Sequence, residues 1–212
     1  MDHTLLKAAA SWQEIKTLCD DAVRFKTASI CVPPCYVKPI YNKYGDTLNI
    51  CTVIGFPLGY SITAVKVLEA ERAVFSGANE VDMVINIADV KNANFDFILE
   101  EIKLVKKTCS EKILKVIVET CYLTEDEKIR LCEIVTLAGA DFIKTSTGFG
   151  TAGAALADVE LFKKHIGPTV KIKAAGGIKT REDLEAFIMA GAERIGASSA
   201  VKLLCGGDAS GY

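Results

Sequence analysis

Two lysines stand in apolar runs where an aliphatic side chain would ordinarily fill space. Lys144 lies in DFIKTSTGFG over 141–150, and Lys173 lies in KIKAAGGI over 171–178. A free lysine has a pKa of about 10.4 and is almost wholly ammonium at neutral pH, so it is a poor nucleophile. Two ammonium groups close together in a partly dry cavity depress each other's pKa, and a value of ~7–8 leaves enough neutral amine to add to a carbonyl carbon. The separation, 173 − 144 = 29 residues, is about one strand–helix–strand unit. The two lysines are therefore expected on adjacent parallel strands roughly 4.8 Å apart, both pointing inward if Ile143 and Ile172 face outward. Asp82, in EVDMVI over 80–85, has the parity to join them as a carboxylate that accepts and returns protons. The competing reading of all three is an interior salt bridge with no chemistry. Glu80 and Lys115 begin neighbouring strands and are read as a structural pair at the floor of the fold, with Lys171 as a third member.

Three glycine-bearing turns accompany these residues: Gly148-Phe149-Gly150, Gly176-Gly177 and Gly196-Ala197-Ser198-Ser199. Glycine lets backbone N–H groups approach an anion closely, and serine adds hydroxyl donors. Each turn alone says little, but three of them at the same end of a fold predict a phosphorylated substrate.

These residues need a scaffold, and the chain supplies a regular one. Short β-rich runs fall at 2–5, 28–32, 49–54, 80–85, 114–119, 142–145, 171–175 and 194–196. Amphipathic stretches fall at 12–24, 37–43, 63–76, 94–108, 124–138, 156–165 and 181–190, with a tail helix near Ala200. Gly77, Gly139 and Gly191 each end a helix just before the next strand. Strands alternating with helices imply a parallel sheet, and eight repeats favour closure into a (β/α)₈ TIM barrel. In such a barrel the chemistry sits at the C-terminal ends of the strands, and phosphate is usually held after strands seven and eight. No linker or composition break divides residues 1–212, so one barrel domain is expected, ending in a flexible tail over about 206–212.

Composition excludes several classes. The 212 residues carry 25 Lys+Arg against 27 Asp+Glu, a net charge of −2, which argues against a nucleic-acid binder. Half the residues are hydrophobic, yet no run is long and apolar enough to span a membrane, and the N-terminus lacks the pattern of a signal peptide. The 8 cysteines are scattered without a CxxC pair and read as free thiols of a reducing cytoplasm. With only His3 and His165 as histidines, no metal and no organic cofactor are expected.

The motifs DHTLLK (2–7), ICVPP (30–34), VIGFPLG (53–59), EVDMVIN (80–86), FIKTSTG (142–148), KAAGGI (173–178) and RIGASS (194–199) run almost end to end, and with them the chain resembles the deoxyribose-phosphate aldolases. The resemblance implies reversible cleavage of 2-deoxy-D-ribose 5-phosphate to D-glyceraldehyde 3-phosphate and acetaldehyde, within deoxynucleoside catabolism. It gives Lys144 the Schiff base, Lys173 the perturbing and proton-transfer role, and Asp82 the acid–base role. It places Asp2 and Cys31 along the pocket and assigns protonation of the enamine to a C-terminal tyrosine, here Tyr212. It also implies a homodimer or higher homo-oligomer. Two departures stand out. Asp2 directly follows Met1, where many members have a preceding helix, so the barrel floor is expected to be less well plugged or capped by a partner. Phe149 stands where some members have a basic residue, which leaves Lys179 as the nearest cation for the phosphate. Two other readings compete. A phosphate-binding isomerase or epimerase barrel would explain the glycine turns but not two interior lysines. A non-catalytic sugar-phosphate sensor would have no use for unpaired buried charges, which are costly.

Overall fold

In the computed structural model, which describes residues 1–205, eight strands wind into a closed barrel in chain order, each parallel to its neighbours, with β8 returning to β1. The strands are β1 (Asp2–Thr4), β2 (Ser29–Val32), β3 (Ile50–Ile54), β4 (Glu80–Val84), β5 (Ile113–Ile117), β6 (Phe142–Lys144), β7 (Lys171–Ala175) and β8 (Arg194–Ala197). The helices around them are α1 (Trp12–Phe25), α2 (Val37–Tyr44), α3 (Thr63–Phe75), α4 (Ile87–Lys91), α5 (Phe95–Cys109), α6 (Glu125–Leu137), α7 (Leu156–His165), α8 (Arg181–Ala190) and α9 (Ala200–Leu204).

Side-chain alternation along each strand divides the sheet into two unlike faces. The outward face is aliphatic: Ile30, Val81, Leu114, Val116, Ile143 and Ile172 are buried in one continuous core with helix residues such as Ile15, Ile98, Leu131 and Phe162. The opposite parity carries Asp2, Glu80, Asp82, Lys115, Lys144, Lys173 and Arg194 into the barrel. Barrels ordinarily fill that space with branched aliphatic side chains, so a charged interior marks this one as built for chemistry. Helix boundaries follow local signals. Ser11, Thr124 and Thr180 form capping boxes at the starts of α1, α6 and α8. Gly77, Gly139 and Gly191 take φ of 107°, 72° and 121° just after their helices, a region that a Cβ disfavours.

Two elements differ from the expectation. The short α4 follows Asn86, whose side chain accepts from the Ala88 N–H; five residues are too few to show a helical period. β5 stops at Ile117 rather than running to 119, because Glu119 turns into the left-handed region at φ 54°, ψ 67°.

Candidate active site

Asp82, fully buried at the middle of β4, is the hub of the interior. Its Oδ2 accepts from Lys144 Nζ and Lys173 Nζ, both at 2.8 Å. Its Oδ1 accepts from Lys115 Nζ at 2.7 Å and from the Cys51 thiol at 3.1 Å. The register explains the convergence: Asp82 is paired with Lys115 across β4 and β5, and Lys144 with Lys173 across β6 and β7. Beneath this layer lie two more carboxylates. Lys115 also reaches Glu80 at 2.6 Å, Lys173 reaches Asp2 at 2.6 Å, and Arg194 clasps Asp2 at 2.6 Å and Glu80 at 3.1 Å.

Electrostatics in this cluster oppose burial and win. Burial pushes the Asp82 carboxyl toward its neutral form, but the Lys115, Lys144 and Lys173 ammonium groups hold its pKa well below the usual carboxylate range. Burial acts on Asp2 in the same way, and Lys173, Lys115 and Arg194 outweigh it. Lys115 and Lys173 are the mirror case: burial disfavours their charge, while the surrounding carboxylates hold both pKa values above that of a free lysine. The expectation of a depressed pKa therefore fails for Lys173. It overlooked the Asp2 and Asp82 carboxylates, which favour the charged form of Lys173. Four cationic side chains face three carboxylates in this cluster, leaving one positive charge in surplus. A buried surplus charge is costly, and groups this close gain and lose protons as a unit. Lys144 is held by a single carboxylate oxygen, whereas Lys115 and Lys173 each meet at least two carboxylates.

Lys144 and Lys173 form one wall of a cavity of about 130 Å³, shared with Thr147, Gly148 and Phe149. This inner cavity shares Gly176, Gly177, Gly196 and Ser198 with an outer recess of about 440 Å³ that Lys179 and Ser199 also line. Every residue expected to hold phosphate thus lines one or both of these spaces. Gly176 and Gly177 take φ of 83° and 77°. The Gly176 carbonyl accepts from the Ala154 N–H at 3.1 Å, and a side chain at Gly153 would collide with it. Phe149 packs edge-on against Phe56, with ring centroids 5.3 Å apart.

Other expectations need correction. Lys115 is a full member of the Asp82 cluster, not only a floor partner of Glu80. Lys171 does not join them: it stays exposed at the start of β7, over the Phe142 ring at 6.0 Å, while Arg194 lies over the same ring at 5.3 Å. At the floor, Arg194 lies over the Phe142 ring at 5.3 Å while clasping Asp2 and Glu80. Asp2 lies beneath the cavity and acts on Lys173 from below. Cys31 is fully buried with Cys51 and Val53, behind Leu6 and Phe56, and does not line the described cavity. Tyr212 and the expected tail over 206–212 lie outside the described residues.

Sequence reading also missed members. Cys51 and Arg194 were legible from parity alone, as the residue two before Val53 on β3 and the first of β8. Lys7 and Lys202, which line the outer recess beside Lys179, carried no local signal; only closure of the barrel brings β1 and α9 to that mouth. Cys31, Cys51 and Asp82 bring three ligand atoms within 4.8 Å of one another. They do not fit a divalent cation, because both Asp82 oxygens already face ammonium groups and added positive charge would be repelled.

A closed barrel that opens an amine and a shared carboxylate onto a small cavity, with glycine-bearing turns at the C-terminal ends of its strands, has the layout of a TIM-barrel enzyme. Residues 1–211 match the family described as DeoC/LacD family aldolase. The chain is 60% identical over 212 residues to a deoxyribose-phosphate aldolase of Clostridium botulinum (strain Alaska E43 / Type E3), covering 100% of this chain and 96% of the relative. It is 58% identical over 212 residues to a deoxyribose-phosphate aldolase of Clostridioides difficile (strain 630), covering 100% and 97%. Among solved structures, an aldolase called QR15 superposes with a TM-score of 0.92 at 41% identity, covering 96% of this chain and 91% of its own. A tetrameric deoxyribose phosphate aldolase from Aeropyrum pernix superposes with a TM-score of 0.87 at 31% identity, covering 96% and 87%. The chain belongs to the DeoC/LacD aldolase family, and it is an aldolase.

Proposed function

We propose that this aldolase cleaves 2-deoxy-D-ribose 5-phosphate reversibly to D-glyceraldehyde 3-phosphate and acetaldehyde, through an imine on Lys144. The observation that carries the reading is the sharing of Asp82 Oδ2 by Lys144 and Lys173 at 2.8 Å each, beside a cavity that shares Gly176, Gly177, Gly196 and Ser198 with the glycine-lined recess. The neutral Lys144 amine adds to the C1 aldehyde, and loss of water gives a protonated imine. The C3 hydroxyl gives up its proton, the C2–C3 bond breaks, and its electron pair moves into the imine to leave an enamine and free glyceraldehyde 3-phosphate. Protonation of the enamine carbon and hydrolysis of the resulting imine release acetaldehyde and restore the amine. Lys173 and Asp82 move the protons, with water as the carrier, while Asp2 and Arg194 hold Lys173 in place.

The phosphate is assigned to the outer recess, where Gly148, Gly176, Gly177 and Gly196 offer backbone and Ser198 and Ser199 offer hydroxyls, with Lys179 as counter-charge. Among the described residues no helix is long and apolar enough to cross a membrane. A cytoplasmic enzyme of deoxynucleoside catabolism that associates with copies of itself completes the reading, which is supported by the names of its relatives. The test is incubation with acetaldehyde, borohydride reduction and mapping of the adduct by mass spectrometry. A two-carbon adduct on Lys144, absent in a folded Lys144→Ala variant that has also lost turnover, is expected. Near-wild-type turnover in that variant would reject the assignment.

A further inference from the structure

We infer that Glu119 is a positioning residue that fixes Thr147 as a hydrogen-bond acceptor toward the cavity, so that the site selects an acceptor aldehyde bearing a hydroxyl beside its carbonyl. The inference rests on the aldolase reading of the site. Glu119 is a non-glycine residue at φ 54°, ψ 67°, and it is almost wholly buried. Such a conformation is strained and persists only where the surroundings impose it. Here the surroundings are the loop after β6. The Val118 N–H donates to the Lys144 carbonyl at 3.0 Å and the Thr120 N–H to the Thr145 carbonyl at 2.9 Å, so the end of β5 is stitched to that loop on either side of Glu119. The Glu119 carboxylate accepts from the Thr147 N–H at 3.1 and 3.2 Å and from the Thr147 hydroxyl. Gly150 packs so close that a Cβ there would press on the Glu119 carboxyl.

The consequence lies in the donor and acceptor count of one hydroxyl. Thr147 has a single O–H hydrogen and two lone pairs. Its hydrogen goes to Glu119, and one lone pair accepts from the Phe149 N–H at 3.0 Å. The remaining lone pair belongs to a residue that lines the cavity with Lys144 and Lys173. Thr147 can thus accept a hydrogen bond from substrate and cannot donate one. A site built around such a group discriminates against a ligand lacking the matching hydroxyl, because its own polar atom is then left unpaired. Glu119→Leu keeps most of the bulk but removes the acceptor, so the Thr147 hydroxyl hydrogen is free to turn toward the cavity.

The experiment is aldol addition of acetaldehyde to D-glyceraldehyde 3-phosphate and to 3-oxopropyl phosphate, which has the same aldehyde and phosphate but no hydroxyl. In Glu119→Leu the ratio of kcat/KM for the two acceptors is expected to fall about tenfold, through KM for the hydroxylated acceptor, while Glu119→Gln, whose amide oxygen can accept both Thr147 donors, keeps the wild-type ratio. Thr147→Ser should keep the wild-type ratio. In a Thr147→Val background, Glu119→Leu should change the ratio no further, since the two residues act in series. In Glu119→Leu alone, an equal loss on both acceptors would mark Glu119 as merely structural, and an unchanged ratio would remove its role; either result overturns the inference. A wild-type protein inactive on both acceptors would instead sink the aldolase reading and this inference with it.

Discussion

The two ends of the cavity are made by opposite means. At the inner end, charged groups sit on strands: Asp82, Lys115 and Lys173 are fully buried, and each is held by ion pairs across the barrel. At the outer end, backbone and small side chains sit in turns, with Lys7, Lys179 and Lys202 at the mouth. The inner end is fixed by strand register and by the ion pairs that tie its charged groups together. The outer end is fitted by loop conformation, where glycine governs how closely an anion can approach. Bond-breaking is thereby assigned to the part of the molecule least able to move, and substrate choice to the part most open to variation.

That contrast can be broken from the inside first. Lys115→Met removes the amine that joins Glu80 to Asp82 and leaves buried carboxylates short of a partner. It should cost about 3–5 kcal/mol of stability, read by urea unfolding, and the loss should be pH-dependent. Asp82 and Asp2 have folded pKa values below their unfolded ones. Their stabilisation is thus present above about pH 4 and is lost as pH falls toward the folded values. Lys115 and Lys173 have folded values above their unfolded ones, so their share is full below about pH 10 and lost above it. A Lys115→Met protein as stable as wild type at pH 7 would show that the ionic interior is dispensable for the fold.

A second effect, on chemistry as well as stability, is expected of Lys173→Leu. It frees Asp82 Oδ2 from one of its two donors and removes a group assigned to proton transfer. Imine formation, followed by borohydride trapping, should slow about a hundredfold; an unchanged rate in the folded variant would remove its role in the reaction. The smallest effect belongs to the mouth. Lys179→Ala should raise KM for the phosphorylated substrate by about tenfold, with kcat unchanged and a shallower dependence on salt. A fall in kcat instead would mean that the two ends are not separable.

The barrel and its chemistry were legible for the same reason: both depend on residues that violate a local pattern. A lysine inside KIKAA, or an aspartate inside EVDMV, is conspicuous because aliphatic residues surround it, and parity then says which way it points. What stayed hidden depended on closure or on backbone geometry. Lys173 pairs with Asp2 on β1, a partner that no local window contains, and this reversed the expected direction of its pKa. Lys7 and Lys202 reach the mouth from opposite ends of the chain. Glu119 read as the last residue of a strand, because nothing in its side chain announces a left-handed turn.

The clasp between Arg194 and Asp2 joins residues 192 positions apart, and this distance has a meaning for the chain as it is made. A ribosome releases β1 long before β7 and β8, so Asp2 waits without Lys173 or Arg194 while most of the protein emerges. Until β7 and β8 are in place, Asp2 lacks both of the cations that lie nearest to it in the finished barrel. Completion of the last two strands supplies the missing wall and those two charges together.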